Sequence, residues 1–453
     1  MRIIIIGNGI AGSTAARFIR KYSDHEILMI SEESEYPFSR TALMYVYMGH
    51  LRLEHTKLYE DGFWAKNRID RLHGRVTEIN PVSKSVQLHN GQSLSYDILI
   101  LACGSLPKKF DWPGQDLQGV QGLYHLRDLQ QLEDQTGRIR KAVIVGGGLI
   151  GVELAEMLRS RNIAVSFLAI ESSFWNTVLP AEESAMVNEE IRRHGVDLRL
   201  NTGLEEIYND GRGWVAGVRT GHDDHLEAQF VGLTVGVRPN IGFLYNSDIE
   251  TNMGVMVDDY LRSSQKDIYA IGDCAELWTP RPGRKAIEAI WYTGRIMGET
   301  VAHTLCKGPV KYDPGIWYNS AKFFDIEYQV YGEIEPQPVE HVQSLYWQGA
   351  NGKKSIRINY NSATSPNFPL AVRGFCLMGI RYRQEVCEQW IRSRATIETV
   401  LPQLGLANFD PEFFPQYESR LMDLYYIQSG KRLILKSGRD RDAVTRFLNK
   451  INE

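Results

Sequence analysis

The sequence predicts an α/β fold of two parallel-sheet units followed by a C-terminal α+β domain. Three observations predict it. A β-branched run at 2–6, RIIII, leads into the glycine turn Gly7-Asn8-Gly9-Ile10-Ala11-Gly12 and then a helix-compatible stretch. Strand, glycine turn, helix and strand return in that order at 141–171, KAVIVGGGLIGVELAEMLRSRNIAVSFLAIE. From 311 onward the pattern changes to hairpins and one long helical stretch.

Taken in order, RIIII suits a strand buried on both faces of a parallel sheet. STAARFIRKY carries Phe18 and Ile19 as the apolar face of a helix, and EILMISEE at 26–33 is the second strand. Residues 75–105 are rich in strand formers, and Asn90-Gly91 between two such runs reads as a hairpin turn. The second unit occupies 141–171. Beyond it, SLYWQGANGKKSIRINY predicts another hairpin, AVRGFCLMGIRYR a strand and EVCEQWIRSRATIETVLPQL a helix.

Composition narrows the function classes. The 453 residues correspond to about three domains. Lys+Arg number 51 against 55 Asp+Glu, a net charge of −4, which disfavours a general nucleic-acid binder. No apolar run reaches the ~18 residues of a membrane span. The glycine-broken start MRIIIIGNGIAG does not read as a signal peptide, so the expectation is a soluble cytoplasmic protein. The five cysteines, Cys103, Cys274, Cys306, Cys376 and Cys387, form no CxxC and fit a reducing compartment. The eleven histidines give no HxxxH or HExxH, and no metal site is expected.

In the first turn, Gly7 permits the sharp bend, Gly9 lets a pyrophosphate approach the backbone, and Gly12 lets the helix close on the strand. Free N–H groups at the helix start then face the phosphates. Glu32, twenty residues beyond Gly12 at the end of the second strand, stands where an acid bonds a ribose hydroxyl pair. Gly146, Gly148 and Gly151 repeat the turn. There the acid position falls either on Glu171 or, with a shorter loop, on Ala169. Each unit thus has the parts of a Rossmann-like dinucleotide-binding domain.

The ordered set GNGIAG, LACGSLP (101–107), GGGLIGVELAE (146–156), TVGVRPN (234–240) and IYAIGDCAE (268–276) resembles the pyridine nucleotide–disulfide oxidoreductase superfamily. Within it the chain looks closest to the rubredoxin, ferredoxin and nitrite reductase branch, over about residues 1–310. The resemblance implies FAD at the first turn and NADH or NADPH at the second. By matching positions, Gly7, Gly9, Gly12, Glu32, Arg40, Gly104 and Asp273 would hold FAD. Gly146, Gly148 and Gly151 would bind the nicotinamide dinucleotide, with Glu153 beside the nicotinamide–flavin stack, and Gly236 matches the connection back to the FAD domain; Glu171 is either this site's ribose acid or a solvated loop carboxylate. It also implies a discontinuous FAD domain, 1–115 with 238–315, an NAD(P) domain at 116–237, and a third domain at 316–453.

The chain departs from the family in two places. The stretch after the first unit, SRTALMYVYMGH, has no cysteine, so a dithiol beside the flavin is not expected, and Cys103 and Cys274 read as packing residues. Tyr45 stands where the branch carries a lysine paired with the helix acid; it would either hydrogen-bond Glu153 or make an apolar contact. The reading is an FAD-dependent NAD(P)H oxidoreductase delivering electrons to a small carrier protein. NADH is favoured over NADPH, because AIESSFWN offers no Arg or Lys to a 2′-phosphate. The alternatives are an NADH oxidase using oxygen or another small oxidant, and a non-catalytic flavoprotein sensing NAD(P)H. Lys431, Arg432, Lys436, Arg439, Arg441, Arg446 and Lys450, with Arg373, Arg381 and Arg383, form a candidate face for an acidic electron carrier. The oligomeric state stays open, a homodimer included.

Overall fold

A computed structural model describes residues 1–409, 413, 415–435, 444, 447 and 448. The first sheet is parallel throughout, in the order Ile268–Ala270, Ile98–Leu101, Arg2–Ile6, Glu26–Ser31, Ile69–His73. Its central strand reads RIIII because both faces are covered, and Ile3, Ile4 and Ile5 are fully buried. The helix Ile10–Tyr22 covers one face and packs along the helix Trp291–Cys306. The first sheet therefore draws a strand from beyond the second.

That second sheet is also parallel, in the order Asp197–Arg199, Ala164–Leu168, Lys141–Val145, Phe230–Leu233, Val120–Gln121. Each parallel sheet carries a three-stranded antiparallel meander. The first is Val76–Asn80, Ser85–Leu88 and Ser93–Ser95; the second is Leu204–Asn209, Val215–Thr220 and His225–Glu227. The Asn90-Gly91 turn forms as expected, with Gly91 N–H donating to the Leu88 carbonyl at 2.9 Å.

The third unit is a five-stranded antiparallel sheet, in the order Tyr318–Phe323, Ile326–Gly332, Val372–Met378, Ser355–Asn361, Val342–Gln348. The predicted hairpin is its Val342–Gln348/Ser355–Asn361 pair. The single helix expected after it is instead three pieces: Gln384–Arg392, Ile397–Val400 and a 3₁₀ turn at Leu401–Ala407. The break has a local cause. Arg394 takes φ +54°, Ala395 N–H closes back on the Trp390 carbonyl, and the Thr396 hydroxyl caps a new start at Thr399 N–H.

Alternation along the strands splits the third sheet between two cores. Phe323, Ile326, Tyr328, Val330, Cys376 and Met378 join Phe167, Phe174 and Val187 of the second unit. Tyr331, Phe375 and Leu377 face the third unit's own Trp390, Val400 and Leu401. No helix among the described residues is long and apolar enough to cross a membrane.

Candidate functional site

A cavity of about 730 Å³ opens at the C-terminal ends of the first sheet's strands and reaches the second unit. Gly9, Glu32, Arg40, Gly104 and Asp273 line it from the first unit, and Glu153 from the second. The first glycine turn builds one end. Gly7 has φ +110°, and a Cβ there would collide with the Ala102 carbonyl. A Cβ on Gly12 would strike the Gly7 carbonyl, so helix and strand close as expected. Around Gly9, by contrast, nothing lies within 4 Å of the Cβ position. Gly9 is also the N-cap of the helix Ile10–Tyr22, which has no capping side chain and no acid in its first turn. Its leading N–H groups thus face open space, a cradle that fits a pyrophosphate. Glu32 is exposed at the rim.

The far wall is a polar network. Asp273 sits on the short turn Gly272–Cys274 and accepts from the Ser105 and Tyr124 hydroxyls, both at 3.3 Å. Burial pushes its carboxyl up, while those two hydrogen bonds oppose the shift. Arg40 was expected to lie along the flavin nucleotide. It lines the cavity, and its guanidinium forks onto Glu33, at 3.0 and 2.6 Å, and stacks 4.5 Å over the Tyr124 ring. Glu33 is the residue sequence reading missed. It also accepts the Leu126 N–H at 2.7 Å, at the start of the helix Leu126–Thr136. Burial pushes its carboxyl up, but His125, then Arg40 and the Leu126 N–H, outweigh that and hold it down at about 2. The signal available was the Glu32-Glu33 pair at the strand end, of which the fingerprint uses one.

The second glycine turn repeats the first. Gly146 has φ +115°, its Cβ position 2.6 Å from the Thr234 carbonyl. The Cβ position of Gly151 lies 2.5 Å from the Gly146 carbonyl, and Gly148 faces open space. Both Glu171 and Ala169 lie beside this turn, with the Ala169 Cβ 3.1 Å from the Cβ position of Gly147, but only Glu171 brings a carboxylate to it. Its Oε2 is 2.9 Å from the Cβ position of Gly147 and, among the described residues, is buried without a hydrogen-bond partner. Ala169 is buried under the turn. An unpartnered carboxylate oxygen at a glycine turn fits a ribose hydroxyl as its missing donor.

The helix Leu149–Ser160 then brings Leu149, Ile150 and Glu153 into the cavity wall. Burial, with Glu156 nearby, pushes the Glu153 carboxyl up to about 7. An acid with that affinity can hold or release a proton at its carboxyl near neutral pH. Tyr45 does not join it. Leu43 and Met44 of the helix Leu43–Tyr47 line the cavity, whereas the Tyr45 ring lies 6.2 Å from that of His50, beside the apolar cluster of the second unit. At about 100° per residue the helix turns the wall-facing side of Leu43 and Met44 away by the next position, so Tyr45 packs on the apolar cluster instead. Of the two expectations for Tyr45, the apolar contact is the one it makes, and it does not line the cavity beside Glu153. Gly236, with φ +97°, lies on an exposed connection outside the cavity lining.

The candidate carrier face changes as well. Arg373 is paired with Glu333, Arg381 with Glu327 and Lys431 with Glu398, while Arg383 donates to the Leu406 and Phe409 carbonyls. Lys436, Arg439, Arg441, Arg446 and Lys450 lie outside the described residues. Cys103 and Cys274 are free and adjacent, Cys103 lines the cavity, and its hydrogen bond with the neighbouring sulfur, followed by burial, pushes its thiol well up.

Comparison with known proteins agrees with this architecture. The pyridine nucleotide-disulphide oxidoreductase family profile matches residues 1–303. The nitrite reductase [NAD(P)H] of Bacillus subtilis is 30% identical over 278 residues, which covers 61% of this chain and only 34% of that protein. The NADH-rubredoxin oxidoreductase of Clostridium acetobutylicum is 29% identical over 283 residues, covering 62% of this chain and 70% of that one. Among solved structures, an NAD-dependent persulfide reductase from A. fulgidus superposes with a TM-score of 0.82 at 22% identity, over 95% of this chain and 84% of that chain. Two glycine turns, one cavity between them and a match over residues 1–303 carry the same conclusion: the chain belongs to the pyridine nucleotide-disulphide oxidoreductase family.

Proposed function

We propose that the chain is an FAD-dependent NAD(P)H oxidoreductase that hands electrons to a small carrier protein. The observation that carries this reading is the single cavity running from the phosphate cradle at Gly9 to Glu153 on the helix of the second glycine turn. FAD bound there would supply the hydride acceptor and the electron donor to the carrier. In this reading 1–115 with 238–315 form the FAD domain, 116–237 the NAD(P) domain and 316–453 a third domain.

The chain's own residues do the rest. Gly7, Gly9 and Gly12 admit the pyrophosphate, and Glu32 binds the adenosine ribose. Arg40, fixed by Glu33, braces the wall, while Gly104 and Asp273 border the middle of the cofactor. Gly146, Gly148, Gly151 and Glu171 bind the nicotinamide dinucleotide. Glu153 and the surrounding Met44, Leu149 and Trp291 orient the donor and exclude water. Glu171 favours NADH, because a 2′-phosphate would meet its carboxylate. A rubredoxin-like or ferredoxin-like acceptor follows from the names of the relatives.

The test is anaerobic reduction of the purified holoprotein by NADH, followed by mixing with rubredoxin, with ferredoxin or with oxygen. The expectation is one FAD per chain, rapid bleaching by NADH, and reoxidation faster by a carrier than by oxygen. Protein that cannot be loaded with FAD sinks the reading. Reoxidation by oxygen alone replaces the carrier reductase with an oxidase.

A further inference from the structure

Glu153 and Glu156 stand three residues apart on the helix Leu149–Ser160, so their side chains are neighbours on one face. Glu153 lines the cavity. Glu156 does not, and it is only 13% exposed. Its Oε1 accepts a hydrogen bond from Lys322 Nζ at 2.5 Å, and its Oε2 is buried without a partner among the described residues. Lys322 comes from the edge strand Tyr318–Phe323 of the third unit, 166 residues away in sequence.

We propose that Lys322 is a positioning residue for Glu153, acting through Glu156, so that the C-terminal sheet sets the protonation of the acid beside the redox centre. The inference rests on the oxidoreductase reading of the cavity. Two carboxylates on one helical face repel, and in a half-buried setting water screens them weakly. A lysine on the outer one removes most of that repulsion.

The other charged and titratable groups packed around this helix are committed elsewhere or uncharged near neutral pH. On its own chain segment, Arg159 donates to the His194 and Ile163 carbonyls, and Arg161 to the Tyr47 carbonyl, with Glu133 at 3.5 Å. The helix Leu43–Tyr47 presents Tyr45, and Tyr47 whose hydroxyl is bonded to Thr136. The strand Tyr318–Phe323 adds Tyr318, bearing on Tyr292, and Lys322 itself. Glu327, the cross-strand neighbour of Lys322, is paired with Arg381. Across the cavity stand the Arg40–Glu33 pair and Asp273. The carboxyl of Glu153 is already pushed up to about 7 with Glu156 as a cause after burial, which is the coupling the proposal uses.

The experiment titrates the carboxylic acid of the oxidised holoenzyme by infrared spectroscopy between about pH 5 and 9, alongside the pH profile of flavin reduction by NADH. The expected wild-type midpoint is near 7 in both. Glu153→Gln should remove the infrared transition. Lys322→Met should move the midpoint up by about one pH unit, because Glu156 is left uncompensated. Glu156→Gln should move it down by a similar amount, because Lys322 is then left uncompensated, Lys322→Arg should keep the wild-type value, and the Lys322→Met/Glu156→Gln double variant should return close to it. A purely structural role for Lys322 would not move the two partners' variants in opposite directions. If Glu153→Gln removes the transition but neither Lys322→Met nor Glu156→Gln shifts it, the Lys322 proposal is wrong while the redox reading stands. If the transition survives in Glu153→Gln, or is absent from the wild type, the reading of Glu153 fails first. Should Lys322→Met not fold, Lys322→Gln is titrated in its place, with the same upward shift expected and an unchanged midpoint overturning the proposal.

Discussion

Glu153 is held in the cavity wall against its own ionisation, and that has a cost in stability. Its folded affinity near 7 lies above the ordinary 4.5, so below pH 4.5 the group is neutral in both states and neutral to folding. As pH rises through 4.5 the unfolded chain ionises first, and the penalty grows to a plateau of about 3 kcal/mol above pH 7. Glu153→Gln should therefore stabilise the apoprotein by about 2–3 kcal/mol at pH 8 and hardly at all at pH 4, read from denaturant melts at the two pH values. Gly9 carries the opposite lesson, since open space at its Cβ position is where the pyrophosphate fits. Gly9→Val should leave the apoprotein's melting nearly unchanged and lower FAD affinity by at least about a hundredfold, measured by fluorescence titration. A variant that still copurifies with FAD would contradict the cradle. At the second turn, Glu171→Ala should narrow the preference for NADH over NADPH by about tenfold or more in steady-state kinetics.

Two elements depend on charges brought from far along the chain. The helix Leu126–Thr136 begins on Glu33, whose carboxylate bonds the Leu126 N–H and the Arg40 guanidinium. With its affinity lowered from 4.5 to about 2, Glu33 adds stability that is complete above about pH 5 and drains away as pH falls toward 2. Glu33→Gln should cost about 3 kcal/mol at pH 7, with the loss vanishing near pH 2, in the same melts. The helix Ala181–Arg193 is held to the third sheet by Arg357, which donates to the fully buried Glu183 at 2.8 and 2.9 Å and to Glu182 at 2.7 Å. Removing one partner strands a buried charge. Arg357→Met alone should destabilise by about 3–5 kcal/mol, and adding Glu183→Leu should recover much of that. Equal destabilisation by the single and double variants would mean that Glu183 is not ionised there.

At the scale of the molecule, the third sheet is shared between the second unit's core and its own helices. Phe323 packs against Phe174 and Trp175 of the second unit, while its His194 stacks 4.4 Å from Phe324. The second and third units are thereby tied to one another by apolar contact, by Arg357 and by Lys322. The thiols are expected to stay outside the electron route. Burial and its sulfur neighbour keep Cys103 protonated, and Cys376 and Cys387 are buried in apolar cores that raise them as well. A variant with all five cysteines changed to Ala or Ser should reduce its flavin with NADH at a rate within about threefold of wild type in stopped flow. Loss of that half-reaction in a folded, FAD-loaded protein would put a thiol in the path.

The sequence by itself determined what is local. β-branched runs specified the central strands, and each Gly-x-Gly-x-x-Gly pattern specified a turn whose bend, open face and helix contact follow from three missing Cβ atoms. Even Asn90-Gly91 placed its hairpin, since turn chemistry acts over four residues. Tertiary structure decided the rest, because it turns on contacts between distant residues. Glu33 meets Leu126 across 93 positions, Lys322 meets Glu156 across 166, and Arg357 meets Glu183 across 174. No periodicity marks which of two adjacent acids, Glu32 or Glu33, will face an arginine, or that Tyr45 turns away from the wall its neighbour Met44 lines. The helix expected across Ser393–Thr396 broke for a similar reason, with Ala395 also supplying a carbonyl to the Val372 N–H of the sheet. Side-chain direction and desolvation are set when the sheets pack, and that packing gives Glu153 its proton affinity.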